Sequence, residues 1–254
     1  MSYETINFLI KNIKINRNNI YYYASSLLLK FNFKHAFFTK DSSQFAIEQL
    51  ARKFNDNKIN YFNNQIHSNF LVHGSELRSD IRFNADGILS DEPNQNLWIY
   101  TADCMPILVA DKSSRLVAAI HCGRKGLEKN IIKNTLKKME YLGSSKKNII
   151  VAIGPSISRS NYFIDEDCLK VFYKNTKYTI NSEFIKKSKN VYLNSIDKFS
   201  FDIKGFAFEQ LINNNIKPEN IEISNNCTFE LQDQFHSWRR DKSKQRNWNF
   251  ITSK

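Results

Sequence analysis

Residues 97–126 read LWIYTADCMPILVADKSSRLVAAIHCGRKG. Residues 97–100 and 105–110 are nearly unbroken apolar runs, the pattern of strands covered on both faces. We read 98–110 and 116–121 as two central strands joined by Asp111-Lys112-Ser113-Ser114. Cys104 and His121 then fall at the ends of apolar runs, and Gly123 and Gly126 lead into a helix. A thiol and an imidazole on neighbouring strands can share a metal, or work as nucleophile and base.

Upstream, residues 5–15, 20–29 and 36–39 are rich in aromatic and β-branched side chains and predict short strands. Residues 42–54 predict a helix, 59–73 a strand-like segment, and 87–89 a short strand before the Asp91-Glu92-Pro93-Asn94 turn. Downstream, 126–142 is the clearest helix. Leu127, Ile131, Ile132, Leu136, Met139 and Leu142 share one face, and Gly143 suits its C-terminal end. A buried strand is expected over 148–153, a helix over 165–174, a helix capped by Asp202 and running to Asn213, and a last strand over 221–224. The polar residues 186–190 read as a loop or helix end rather than a boundary. With no repeat and no low-complexity linker, the expectation is one α/β (α+β) domain over residues 1–254, with mixed β-sheets flanked by helices.

A chain of 254 residues can bury a large core without disulfide staples. Its four cysteines, Cys104, Cys122, Cys168 and Cys227, form no C-x-x-C pair. That usage predicts reduced thiols and a cytoplasmic location, with Cys168 and Cys227 as ordinary buried thiols. The first twenty residues are polar and Asn-rich, so no secretory leader is expected. No apolar run is long enough for a membrane span. The formal net charge is +12, but Lys outnumbers Arg 27 to 10 and is spread throughout. Arginine is the better residue for bidentate phosphate or base recognition, so charge alone does not argue for a nucleic-acid partner.

Catalytic zinc takes three protein ligands and leaves one position open. Cys104 and His121 supply two, and His67 and His73 are both candidates for the third. Copper accepts a similar donor set, although one cysteine and few histidines are too few for a multi-copper centre. Asp103 would face away from Cys104 in a regular strand. At a strand end or bulge it can instead orient a ligand or loop, or bond backbone amides. In the loop from His121 to Gly126, the glycines and the following helix favour close approach of an anion, reinforced by Arg124 and Lys125. A second cationic cluster lies in Ser237-Trp238-Arg239-Arg240-Asp241 and Arg246, where three of the ten arginines fall within eight residues.

The motifs TADCMPILVAD, HCGRKG, AIGPSIS followed by Tyr162, Cys227-Thr228 and SWRRD resemble the YfiH family over about residues 35 to 250. Its members have been labelled laccase-domain or polyphenol oxidase proteins, and their fold is related to the cytotoxic necrotizing factor deamidases. The resemblance implies a zinc-dependent purine nucleoside phosphorylase, acting on adenosine, inosine, guanosine and methylthioadenosine, with adenosine deaminase activity. It implies zinc on His67, Cys104 and His121. Gln65-Ile66-His67-Ser68 matches the family's Q-V-H-G motif, whereas His73 lacks the glutamine and lies too close to Ala85. Cys104, His121 and Asp103 become the catalytic candidates. Lys40, Arg124, Lys125, Arg239, Arg240 and Arg246 become the substrate-binding candidates, with nucleosides and phosphate as partners. The chain departs from the family where Lys125 replaces an arginine, and where Thr39-Lys40-Asp41-Ser42-Ser43 stands in place of the S-x-R-x-G-G-x-S loop. Three other readings follow from the same residues: a cysteine hydrolase or deamidase using Cys104 and His121, a copper-dependent phenol oxidase, and a metal-binding protein without turnover.

Overall fold

Apolar runs without a polar face need cover on both sides, and two stacked sheets between helices provide it. The structure, a computed structural model, describes residues 13–17, 20–55, 58–76, 78, 80–114, 116–176, 190–195 and 198–253. In chain order the elements are β1 (Ile13–Arg17), β2 (Ile20–Ala24), α1 (Ser26–Lys30), β3 (His35–Phe38), α2 (Ile47–Asn55), β4 (Ile59–Phe62), β5 (Leu71–His73) and β6 (Gly87–Ser90). The central part contains β7 (Gln95–Thr101), β8 (Met105–Asp111), β9 (Val117–Cys122), α3 (Arg124–Glu128), α4 (Ile131–Tyr141) and β10 (Ile149–Ile153). Then come β11 (Phe163–Ile164), α5 (Glu166–Thr176), β12 (Val191–Ser195), β13 (Lys198–Phe201), α6 (Ile203–Asn213), β14 (Ile221–Ile223), α7 (Trp238–Asp241) and β15 (Asn247–Thr252).

The first sheet has the order β1-β2-β3-β15-β7-β4 and the second β14-β10-β8-β9-β6-β5; β11, β13 and β12 form a small third sheet. Both large sheets are mixed. The pairs β4–β7, β5–β6 and β10–β14 are parallel, whereas β7–β15 and β8–β9 are antiparallel. Side chains alternate between two cores. On β8, Leu108 and Ala110 point between the sheets, with Leu97, Ile99 and Ile251 opposite. Ile107 and Val109 point the other way, to helix residues Leu136, Phe206 and Leu211. The outer face of the first sheet is closed by α2, whose Leu50 and Phe54 pack on Phe38, Trp98 and Phe250.

Several expected elements divide where the chain changes sheets. The strand expected over 98–110 is two strands: β7 lies in the first sheet and β8 in the second. Asp103, at φ 87°, makes the turn between them. An apolar run buried on both faces carries no alternation to mark such a break. The segment 59–73 likewise splits into β4 and β5, on different sheets, with His67 in the intervening loop at φ 56°. The strand expected over 20–29 ends at Ala24, where Ser25 Oγ accepts a hydrogen bond from Leu28 N and caps α1. The helix expected over 42–54 begins as a 3-10 turn, Lys40–Gln44, and becomes α-helical only at Ile47. The helix over 126–142 is interrupted at Asn130, in the left-handed region, giving the short α3 and the longer α4. The helix capped by Asp202 is present as α6, with Gly205 N donating to Asp202 Oδ1. Of the stretch 186–190, only Asn190 is among the described residues, and 5–12 lie outside them. Among the described residues no helix is long and apolar enough to cross a membrane.

Trp98 is fully buried, stacks on Phe250 at 4.7 Å and Phe38 at 5.9 Å, and donates its indole N–H to Asn60 Oδ1. Trp98→Ala should cost about 3–5 kcal/mol in denaturant unfolding, the largest effect expected of any single truncation in that aromatic layer.

Candidate metal centre

Three side chains far apart in sequence meet where the chain crosses between the two large sheets. Cys104 follows the Asp103 turn and precedes β8. His121 is the penultimate residue of β9, directly across from Pro106. His67 comes from the loop between β4 and β5. The sulfur of Cys104 lies 3.9 Å from His67 Nε2, and the rings of His67 and His121 meet edge to face at 4.8 Å. One ligand atom from each residue lies within 4.8 Å of the other two. Tetrahedral zinc with bonds of about 2.0–2.3 Å needs donors roughly 3.3–3.6 Å apart, so a small contraction closes the set around one ion. His73 is elsewhere, its Nε2 paired with Asp91 at 3.2 Å. Gly123 leaves the room the sulfur occupies: a Cβ there would sit 2.5 Å from Cys104 Sγ.

Asp86, which no sequence motif marks as a site residue, organises the cluster. Its buried carboxylate accepts from His121 Nδ1 at 2.7 Å, and from the backbone N–H groups of Ile66, His67 and Ser68 at 3.1, 2.9 and 2.6 Å. The Ser68 hydroxyl adds a further bond at 2.7 Å. Anchoring Nδ1 leaves His121 Nε2 for the cluster. The three amides fix the loop that holds His67 in its left-handed conformation. Gln65 clamps β7 to this loop: its amide nitrogen donates to Tyr100 O and its oxygen accepts from Tyr100 N. The signal that could have revealed Asp86 is chemical, since a metal-binding histidine usually gives its second nitrogen to a carboxylate.

The electrostatics follow from this packing. Burial raises the Cys104 thiol, but the neighbouring His121 charge and hydrogen bonds from both histidines outweigh it and bring the thiol down to about 6. Burial disfavours the His121 cation, yet the Cys104 thiolate and the Asp86 hydrogen bond reverse that and raise it to about 9. Burial also raises Asp86, and its bonds to His121 and Ser68 overcome this, lowering it to about 2. Cys104, His121 and Asp86 each favour the charged form of the next.

A cleft of about 410 Å³ opens over the three side chains, within the ~300–1,000 Å³ range of small-molecule sites. Arg124, Lys125, Arg239 and Arg246 reach it. The structure separates the other two predicted cations from it. Lys40 lines a different concavity and donates to Gln232 O. Arg240 is committed to the carbonyls of Thr228, Phe229 and Phe235 and to Asp241. Arg124 is ion-paired with buried Glu128 one helical turn away. Asp103 is buried and both its oxygens are engaged, one by the Thr228 hydroxyl at 2.7 Å and the other by Arg239 N at 2.6 Å. Tyr162, Trp238 and Ile157 form apolar walls that the sequence reading had not assigned to the site.

Two packed mixed sheets with a His/Cys/His cluster at their crossing define a class of α/β protein, and comparison gives it a family. A family model described as multi-copper polyphenol oxidoreductase laccase matches residues 33–254. The chain belongs to this family, the YfiH family that its motifs resemble. The chain is similar to "Purine nucleoside phosphorylase slr1573" of Synechocystis, 28% identical over 236 residues covering 86% of this chain and 89% of that one. "Purine nucleoside phosphorylase CA_C1699" of Clostridium acetobutylicum is 34% identical over 211 residues, 82% of each chain. Among solved structures, YfiH of Bacillus licheniformis superposes with a TM-score of 0.78 at 22% identity over 92% of this chain and 96% of that one. Protein NMB0706 of Neisseria meningitidis gives 0.73 at 21% identity over 87% and 94%. These structural likenesses bear on the fold.

In metal-free protein, alkylation of Cys104 by iodoacetamide should rise through about pH 6, well below the free-thiol range near ~8.5. His121→Gln should move that midpoint upward, because the stabilising cation is gone. Asp86→Asn should weaken metal binding by about 10–100-fold in a chelator competition.

Proposed function

We propose that this chain is a zinc-dependent purine nucleoside phosphorylase that cleaves adenosine, inosine, guanosine and methylthioadenosine and also deaminates adenosine. The observation that carries this reading is the meeting of three metal-type donors, His67, Cys104 and His121, on the floor of a cationic cleft. The names of the relatives support nucleosides and phosphate as the substrates. A mixed thiolate and imidazole set suits zinc. Among the described residues no second metal-type cluster accompanies it, as a multi-copper centre for phenol oxidation requires. His67, Cys104 and His121 would hold the zinc, which would supply Lewis acidity.

In phosphorolysis a phosphate oxygen bonds to ribose C1′ while the C1′–N9 bond breaks, and the base leaves with the electron pair and gains a proton. The cleft cations hold the dianion against C1′ and neutralise charge as it moves. The half-exposed indole of Trp238 and the ring of Tyr162 provide flat walls for the purine. In deamination a water oxygen bonds to C6 and ammonia leaves. The cleft draws residues from Gln65 to Arg246, so we read the chain as one functional domain, and its free cysteines suit a reducing cytoplasm.

A second reading, cysteine hydrolase or deamidase, is favoured by one feature: Cys104, His121 and Asp86 lie in the order of a nucleophile, base and orienting acid. His67 weighs against it. A triad has no use for a second imidazole 3.9 Å from the sulfur, whereas a metal requires one.

Metal analysis should find zinc in the wild type and in His73→Ala, and lose it in His67→Ala. Zinc-loaded protein should release hypoxanthine from inosine only when phosphate is present, and a chelator should abolish this. Chelator-resistant turnover blocked by Cys104 alkylation would establish the hydrolase reading instead.

A further inference from the structure

We propose that Arg239 is the anion-holding residue of the cleft and that Asp103, bonded in sequence to the ligand Cys104, positions it. The proposal rests on the phosphorolysis reading and specifies where its phosphate binds.

The cleft has more positive side chains than free positive charges. The Arg124 guanidinium is tied to Glu128, whose carboxylate is itself buried. One terminal nitrogen of Arg246 closes a turn through the carbonyls of Ser243 and Gln245. Lys125 stands exposed at the rim, on a flexible stem that no hydrogen bond or ion pair among the described residues fixes. Arg239 differs. Its guanidinium lies over the Tyr162 ring, 5.0 Å from the centroid, a distance at which a cation is held by the ring face. Among the described residues no carboxylate pairs with it. A guanidinium fork held by a ring but not neutralised matches a phosphate edge with two parallel donors.

The backbone of Arg239 is fixed as firmly as its side chain. Asp103 Oδ2 accepts from Arg239 N at 2.6 Å, and Oδ1 accepts from the Thr228 hydroxyl at 2.7 Å. Asp103 is itself seated by its own carbonyl, which accepts from Ile157 N at 3.0 Å. It holds φ 87° between the two sheets, and the next residue is Cys104. One rigid turn therefore sets the sulfur on one side and the arginine on the other. A metal at the cluster and an anion on Arg239 would be held near one another by the same turn, through the Asp103–Cys104 peptide bond and the Asp103 carboxylate. Asp103 touches no reacting atom in this scheme; it acts through Arg239.

The test uses zinc-loaded full-length protein with phosphate and inosine varied separately. Arg239→Gln should raise KM for phosphate by about 10–100-fold, the loss expected for charge-assisted hydrogen bonds, with a much smaller change in KM for inosine. Arg239→Lys keeps the charge but not the fork and should fall between. Asp103→Asn should raise KM for phosphate while zinc content stays at the wild-type level. Tyr162→Leu should raise it too, and Tyr162→Phe should rescue it, because the ring face rather than the hydroxyl carries the contact. A phosphate KM unchanged in Arg239→Gln, or a larger rise in Lys125→Gln, overturns the assignment. Loss of zinc or of kcat in Asp103→Asn without a rise in phosphate KM overturns the positioning role. Thermal stabilisation by inorganic phosphate separates this proposal from the reading beneath it. If the wild type is stabilised, Arg239→Gln is not, and neither protein turns over inosine, the phosphorylase reading fails and the anion site stands. If phosphate does not stabilise the wild type and supports no turnover, the anion site fails as well.

Discussion

The Asp86 carboxylate is the constraint on which the site depends. It collects three consecutive backbone amides, a hydroxyl and an imidazole from two separate parts of the chain. A buried charge is tolerated only when its hydrogen-bonding capacity is filled, and here it is filled by the groups that must be placed. The same residue's backbone oxygen accepts from His121 N at 2.8 Å. One aspartate thus sets the tautomer of one histidine and the backbone of the loop bearing the other. Without it, the left-handed conformation of His67 would have little to oppose its cost.

Asp103 has the corresponding place on the opposite side of the cluster. Both aspartates are buried and both bond protein donors: Asp103 sits where the chain leaves one sheet for the other, and Asp86 immediately precedes β6. The side chains divide the work: Cys104, His67 and His121 form the cluster, while Asp86 and Asp103 hold the ring and backbone groups around it.

The supporting shell is correspondingly rigid. Trp98, Phe38, Phe54 and Phe250 form an aromatic layer under the first sheet, and the inter-sheet core holds β7 against β8 and β9. The crossings that carry Cys104 and His67 hang from these packed strands, so the positions of these side chains are inherited from the sandwich. Of the six predicted cations, Lys40 and Arg240 show how local pairing overrides charge. Arg240 closes the loop from Thr228 to Phe235 and is structural for that reason, although it adjoins Arg239 in the sequence.

Side-chain type and short-range period were enough for the α/β class, for the helices α5 and α6, and for Cys104 and His121 as a pair. Those features depend on a few neighbouring residues. His67, the third member of the cluster, was legible as well, but through the Gln65-Ile66-His67 motif rather than through any periodicity. Sheet membership was not legible. Residues 98–110 look like one strand because burial on both faces erases alternation, and only the stacking of two sheets shows that the chain turns at Asp103. The roles of Asp86, Asp103 and Tyr162 belong to the same category. Each is defined by partners distant in sequence, His121 for Asp86, Thr228 and Arg239 for Asp103, and Arg239 for Tyr162. Local sequence fixes what a side chain can do, whereas long-range packing decides which hydrogen-bonding groups it meets and therefore what it does here.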